Sequence, residues 1–127
     1  MTKFSFPKNC GNSPKSLMIL DFYKQLFKFN TKKANDMISD EFVCTIYGHG
    51  EYKGREGLSQ MIADMRTTTT VSLTLTIVIT HGKHAAANGE VVMSDGSKMA
   101  FAEFFIFTSH SKKAKILRQD SYVVAVD

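Results

Sequence analysis

The hydrophobic pattern of this chain changes period near residue 70, and this change constrains the fold more than any other feature. Before residue 70, apolar residues recur every three or four positions, as they do on one face of an α-helix. From Val71 to Ile79, every second residue is a branched aliphatic one, which is typical of a β-strand with one buried face. Helices therefore come first and strands follow. Their apolar surfaces can be buried together when a curved sheet wraps around the helices.

Three helices are predicted in the first half of the chain, over residues 14–29, 32–38 and 55–66. The first begins at Ser13 and Pro14, because serine is a good N-cap and proline is favoured at the first helical position. In the third, the apolar residues from Leu58 to Met65 follow the spacing of an amphipathic helix. Residues 1–12 contain helix breakers and turn formers. We therefore predict a flexible leader there and a single domain over residues 13–127.

Five strands are predicted, over residues 42–47, 71–80, 84–93, 98–108 and 115–126. Residues 48–50 are predicted to be a loop, because the two glycines there permit a sharp turn. Asp95 and Gly96 favour a hairpin turn between the third and fourth strands. The predicted fold class is α+β. It is a cone-shaped fold in which three N-terminal helices pack in a strongly curved, mixed or antiparallel sheet.

The composition excludes several classes of protein. With 127 residues the chain fits one domain, and the 16 Lys and Arg behind its net charge of +4 are scattered along it, which argues against nucleic-acid binding. Its two cysteines, Cys10 and Cys44, give no disulfide framework and no metal-binding spacing. No dinucleotide or phosphate-binding motif is present, so we expect neither a metal nor a cofactor. We find no membrane span and no secretory signal in the sequence, and the expected compartment is the cytoplasm.

Several short motifs resemble one superfamily. They are Asp40-Glu41-Phe42-Val43 before the first strand, Gly48 after it, and Tyr52-Lys53-Gly54-Arg55-Glu56-Gly57-Leu58 at the start of the third helix. With the order of elements, they resemble the nuclear transport factor 2-like superfamily in its SnoaL-like branch, and in particular uncharacterised bacterial members. The resemblance covers residues 13–124. It implies a bent sheet around the first helix with a pocket at the open end. Members include isomerases, polyketide cyclases, epoxide hydrolases, dehydratases and non-catalytic binding or dimerisation modules, so the fold leaves the function open.

The isomerase mechanism of that superfamily is a poor match to this chain. It needs a carboxylate base, and it needs a Tyr and a protonated Asp as hydrogen-bond donors. An ungapped comparison places the base at Ile46 and the Tyr at Phe22, which are both apolar here. Glu103 stands in the place of the protonated Asp. We therefore do not expect steroid-type isomerisation.

Glu103 is nevertheless the candidate catalytic residue, because it is a single acid within an apolar run from Met99 to Phe107. Two interpretations are open. Glu103 is either an acid in the wall of a pocket or a structural residue that is paired with a basic side chain or reaches solvent. His49, in the loop with two glycines, is a second catalytic candidate as a proton shuttle. It could equally be an exposed loop histidine.

The leading hypothesis is a small-molecule-binding protein that acts on an apolar or amphipathic metabolite by acid–base chemistry, as a lyase, isomerase or hydrolase. The alternative is a non-catalytic dimerisation or ligand-binding module. The predicted pocket residues are Phe22, Cys44, Ile46, Tyr52, Met65, Asn88, Phe101, Phe105, Gln119 and Ser121. Asn88 could instead face outward. A homodimer is predicted through the outer sheet face, where the alternation places Ala100, Ala102, Phe104 and Ile106.

Overall fold

The structure is a computed structural model that describes residues 2–8 and 13–126. Within these residues the chain forms three helices and seven strands. The helices are α1 (Pro14–Phe27), α2 (Thr31–Asn35) and α3 (Gly54–Met65). The strands are β1 (Lys3–Ser5), β2 (Ile38–Ile46), β3 (Gly50–Lys53), β4 (Thr70–His81), β5 (His84–Met93), β6 (Lys98–Phe107) and β7 (Ile116–Val126).

All seven strands belong to one sheet in the order β1-β4-β5-β6-β7-β2-β3. The four long strands from β4 to β7 form an antiparallel meander, as the sequence alternation predicted. The sheet is mixed because β1 runs parallel to β4 and β2 runs parallel to β7. The predicted α+β class, with N-terminal helices packed in a curved sheet, is confirmed.

Two short strands were missed in the sequence. Lys3–Ser5 pairs with Ser72–Thr74, so these three residues of the predicted leader form a strand. Phe4 and Phe6 pack against the core, and this burial holds a segment too short to show a periodic pattern. The predicted leader residues 9–12 lie outside the described residues. β3 forms where a loop and its flank were expected, because the turn after Ile46 folds Gly50–Lys53 back onto β2.

The second helix is shorter than predicted. It ends at Asn35, and Ile38 is already paired with Ile116 of β7. Ile38 is fully buried, so its apolar character reflects the sheet and not the inner face of a helix. A short apolar run is compatible with either structure, and tertiary pairing decides between them.

The core lies between the helices and the inner face of the sheet. Ser13 caps α1 by accepting a hydrogen bond from the Ser16 backbone N–H, and the helix buries Ile19, Phe22 and Leu26 against the strands. Leu58 and Ile62 of α3 join the same core. In the described part of the chain, no helix is both long enough and apolar enough to span a bilayer.

Gly89 permits a close approach of β4 and β5. The register of this pair shifts between Leu75 and Ile77, and a Cβ at Gly89 would lie 1.9 Å from the carbonyl oxygen of Thr74. Such a bulge bends the strand that carries it. This bend contributes to the curvature with which the sheet wraps around the helices.

Candidate ligand-binding site around Glu103

A cavity of about 230 Å³ lies between α1, α3 and the inner face of the sheet. Most of its wall is apolar, and four methionines contribute to it. Its lining residues are Tyr23, Leu26, Phe27, Ile46, Met61, Met65, Thr68, Thr70, Val91, Met93, Met99, Phe101, Glu103, Gln119, Ser121 and Val123. Methionine side chains are unbranched and adaptable, so such a wall can adjust to the shape of an apolar ligand.

The strand β6 shows where the cavity meets the core. Its inward residues Met99, Phe101 and Glu103 line the cavity, whereas Phe105 and Phe107 are fully buried in the core. This order follows from the period of two along a strand. Glu103 therefore lies at the inner end of the cavity, and the hairpin end of β5 and β6 lies at the other.

Glu103 is a buried acid with a tyrosine partner. Its exposed fraction is 8%, and its Oε1 accepts a short hydrogen bond from the Tyr23 O–H. Tyr23 is itself 2% exposed and projects from α1. None of the ion pairs that the structure describes involves Glu103. The interpretation of Glu103 as one half of a buried ion pair is therefore not supported among the described residues.

Burial dominates the electrostatics of Glu103. Removal from water disfavours the ionised form and raises the pKa of the carboxyl above its ordinary value. Hydrogen bonds from the side chains of Ser121, Tyr23 and Gln119 oppose this rise. Tyr23 is affected in the same direction, since burial and the neighbouring Glu103 raise its pKa well above 10.0 and keep its O–H protonated.

Gln119 and Ser121 reach the same place from β7. Ser121 lies directly opposite Glu103 across the β6–β7 pair, and both residues are almost fully buried. The Oε1 of Gln119 is buried and has no hydrogen-bond partner among the described residues. A buried acceptor without a donor is costly, so this atom would be stabilised by a donor on a bound molecule.

The structure brings together about half of the predicted pocket residues. Ile46, Met65, Phe101, Gln119 and Ser121 line the cavity together with Glu103. The other five predicted residues do not line the cavity: Phe22, Phe105, Cys44, Tyr52 and Asn88.

Three of these five residues belong to the core or its margin. The ring of Phe22 packs edge-on against Phe105 with centroids 6.3 Å apart, and both side chains are fully buried. Cys44 is 1% exposed, and burial, followed by the charge of Glu103, raises the pKa of its thiol to about 12. It is therefore a packing residue and not a nucleophile.

Tyr52, Asn88 and His49 lie away from the cavity. The Tyr52 O–H donates to Asp64 Oδ2 over 2.7 Å at an exposed site. Asn88 is on the outer face of β5, where its Oδ1 accepts a hydrogen bond from the Ile77 backbone N–H at the bulge. His49 is exposed in the turn between β2 and β3 and is not among the residues that line the cavity.

Tyr23 is the site residue that sequence reasoning missed. The ungapped comparison with isomerases placed the tyrosine at Phe22, whereas the next residue, Tyr23, makes the contact with Glu103. Helical spacing places Tyr23 close to Ile19 and Leu26 on the buried face of α1. A polar aromatic residue on such a face usually has a hydrogen-bond partner, and this was the available signal.

No family model and no curated protein sequence matches the chain. Solved structures match it well. A nuclear transport factor 2-like protein of unknown function from Burkholderia xenovorans superimposes with a TM-score of 0.74 at 10% identity, over 90% of this chain and 85% of that one. A candidate SnoaL-like polyketide cyclase from Shewanella denitrificans gives 0.69 at 9% identity, over 85% and 88%. A candidate ketosteroid isomerase from Kribbella flavida gives 0.71 at 11% identity, over 87% and 78%.

The chain therefore has the nuclear transport factor 2-like fold, as the sequence resemblance predicted. Identities this low show the fold and not the chemistry, since one fold can carry many unrelated functions. The site itself departs from the isomerase arrangement. A tyrosine and an acid are present, but the position compared with the catalytic base is Ile46, and Glu103 is the one carboxyl group among the described residues that line the cavity. Within the described ranges, no cluster of three or more His, Cys, Asp or Glu is placed to hold a metal.

Proposed function

We propose that this protein binds a small, mostly apolar molecule in the cavity beside Glu103. The observation that carries the proposal is a single buried acid, hydrogen-bonded to Tyr23, at the inner end of an apolar cavity of about 230 Å³. Ligand sites in proteins are usually apolar concavities with a few convergent polar groups. A cavity of about 150 Å³ already admits benzene, so this volume suits one or two rings with a short substituent.

Glu103 is the group to which we assign any acid–base step. Burial raises its pKa above the ordinary carboxyl value, which favours the protonated form that a general acid needs. Tyr23 would hold the carboxyl in place, and Ser121 and Gln119 would complete the polar end. The exposed position of His49 gives it no role in this proposal.

The test is binding of small aromatic probes to the wild type and to two matched variants. Glu103→Gln keeps the shape of the side chain and removes its titration, whereas Glu90→Gln makes the same change at an exposed position on β5. We expect ligand-observed NMR to show binding to the wild type and to Glu90→Gln, and altered affinity for Glu103→Gln where the probe carries a charged or titrating group. If no probe binds at millimolar concentration, the assignment of this site fails, and if all three proteins bind every probe identically, the role given to Glu103 fails.

A second function, dimerisation, is favoured by the outer face of the sheet. Large apolar side chains are exposed there, including Ile77 at 52%, Ile79 at 60% and Phe104 at 54%. Between them lies a depression of about 160 Å³ that is partly lined by Ala86 and Ala102. A second copy, related by a two-fold axis, could place its Phe104 ring in this depression, and the reverse contact would form at the same time.

The oligomeric state tests this second proposal. Phe104→Asp should shift the protein from dimer to monomer in sedimentation velocity at micromolar concentration. Leu17→Asp is the matched control, because Leu17 is equally exposed, at 52%, but lies on α1. A monomeric wild type, or equal effects of the two substitutions, would overturn the proposal. A cytoplasmic location stays a prediction from the sequence.

A further inference from the structure

The polar end of the cavity has acceptors to spare and no positive charge. The Tyr23 O–H is already donated to Glu103, and the side chains of Ser121 and Gln119 lie close enough to that carboxyl to lower its pKa. The remaining buried atom without a partner among the described residues at this wall is an acceptor, Gln119 Oε1. The described part of the wall thus holds one acceptor without a donor, and an ionised Glu103 would add further acceptors.

The wall also lacks a counter-charge for Glu103. Among the described residues that line the cavity there is no Lys, Arg or His. A carboxylate in an apolar site is stabilised either by protonation or by a cation that arrives with a partner. The net charge of +4 on the chain weakly opposes a cation at long range, but salt screens distant surface charges more strongly than a contact inside a cavity.

We propose, on the basis of the function proposed above, that the cavity takes a small apolar molecule carrying a cationic amine, whose ammonium group binds Glu103 and the free Oε1 of Gln119. An ammonium group has three N–H donors and accepts nothing, which matches a site with acceptors to spare. The apolar body of the ligand would lie along Met65, Met99 and Phe101. A ligand with a carboxylate or phosphate head is disfavoured, because the described lining residues offer it no Lys, Arg or His beside the buried acid.

Glu103 is the residue whose protonation state should change when the amine binds. Tyr23 of α1 and Cys44 of β2 are the titratable side chains on which the charge of Glu103 acts, and burial, followed by that charge, raises the pKa of both. The strands on either side place Ala87 and Ser121 opposite it. Burial shifts Glu103 toward its neutral form, and an ammonium group would shift it toward its ionised form. Binding should therefore release a proton, and affinity for the amine should rise with pH as the carboxyl titrates.

The experiment compares three probes that share one body: phenylpropylamine, phenylpropanol and phenylpropanoate. Calorimetry on the full chain should show that the amine binds about tenfold more tightly than the alcohol, a difference of about 1.4 kcal/mol, and that the acid does not bind. In Glu103→Gln the amine should lose about tenfold or more in affinity while the alcohol changes little. Repeating the titration in two buffers of different ionisation enthalpy should reveal the released proton.

The outcomes separate the two proposals. If the alcohol binds as tightly as the amine or more tightly, or if amine affinity is unchanged in Glu103→Gln, the inference about the amine is overturned while the cavity still binds ligands. If phenylpropanoate binds best, the charge argument is overturned as well. If none of the three binds at millimolar concentration to a protein that is folded by circular dichroism, the cavity is not a ligand site and both proposals are overturned.

Discussion

Removal of the Tyr23 hydroxyl tests the polar end of the cavity without disturbing its shape. Tyr23→Phe keeps the ring, which packs against Phe101 and Phe105 with centroids 5.8 and 6.0 Å away. Only the donor to Glu103 is lost. A hydrogen bond between neutral groups contributes about 1 kcal/mol and one to a charged group about 1.5–3 kcal/mol. We therefore expect a loss in the free energy of unfolding of about 1 kcal/mol where Glu103 is neutral and about 2–3 kcal/mol where it is ionised.

The destabilisation caused by Tyr23→Phe should depend on pH in a defined direction. The folded-state pKa of Glu103 is raised, so the stability that its neutral form provides is complete below the ordinary carboxyl value of 4.5 and is lost as pH rises through the folded-state value. The Tyr23 hydrogen bond lowers that pKa, so Tyr23→Phe raises it further. The penalty of the substitution should therefore grow with pH.

Urea unfolding followed by circular dichroism at pH 4 to 8 measures the penalty. Tyr52→Phe is the control, because its hydroxyl donates to Asp64 at an exposed site and its loss should cost about 0.5 kcal/mol or less. The double variant Tyr23→Phe/Glu103→Gln gives the coupling between the two side chains. A penalty for Tyr23→Phe equal to that of the control, or no coupling with Glu103, would refute the reasoning.

Three further predictions concern the acid, the sheet and the thiol. Glu103→Gln should flatten the dependence of unfolding free energy on pH above 4.5, since the raised folded-state pKa makes the wild type less stable as pH rises; unchanged pH profiles would contradict this. Gly89→Ala should cost about 3 kcal/mol or more, because its Cβ would lie 1.9 Å from the Thr74 carbonyl oxygen, and a thermal midpoint within about 2 °C of wild type would count against the close approach. In a Cys10→Ser background, Cys44 should react with a thiol reagent at pH 8 only after unfolding, because the thiol is 1% exposed and its pKa is raised to about 12; rapid native-state labelling would contradict the burial.

The long elements were predictable because each carries a strong local signal. The period of two in β4 and the Asp95-Gly96 turn are properties of neighbouring residues, so the antiparallel meander could be read directly. The short strands β1 and β3 carry no such signal. Lys3–Ser5 is a strand because Ser72–Thr74 presents a free edge to it, and the sequence of three residues does not contain that information.

The site was predictable in part for the same reason. Glu103 was identified as a single acid in an apolar run, alternation put Gln119 and Ser121 on one face of β7, and the family resemblance implied that this face points inward. Phe105 and Phe101 have the same phase on β6, yet Phe101 lines the cavity and Phe105 fills the core. The alternation along a strand predicts which face of the sheet a residue lies on. It does not predict where the helices fill the space inside the sheet and where they leave a cavity.

The class of fold, and which residues of each long strand share a face, follow from the sequence alone, because hydrophobic periods and turn residues act locally. The sequence also identified Glu103 as an unusual acid in an apolar run. Three features of the site are visible only in the folded chain. Tyr23, 80 residues away in sequence, is the partner of Glu103. Gln119 Oε1 is left without a donor among the described residues, and a cavity remains beside them. These are contacts between distant segments, and their geometry depends on how α1 lies against the bent sheet, which no local pattern specifies.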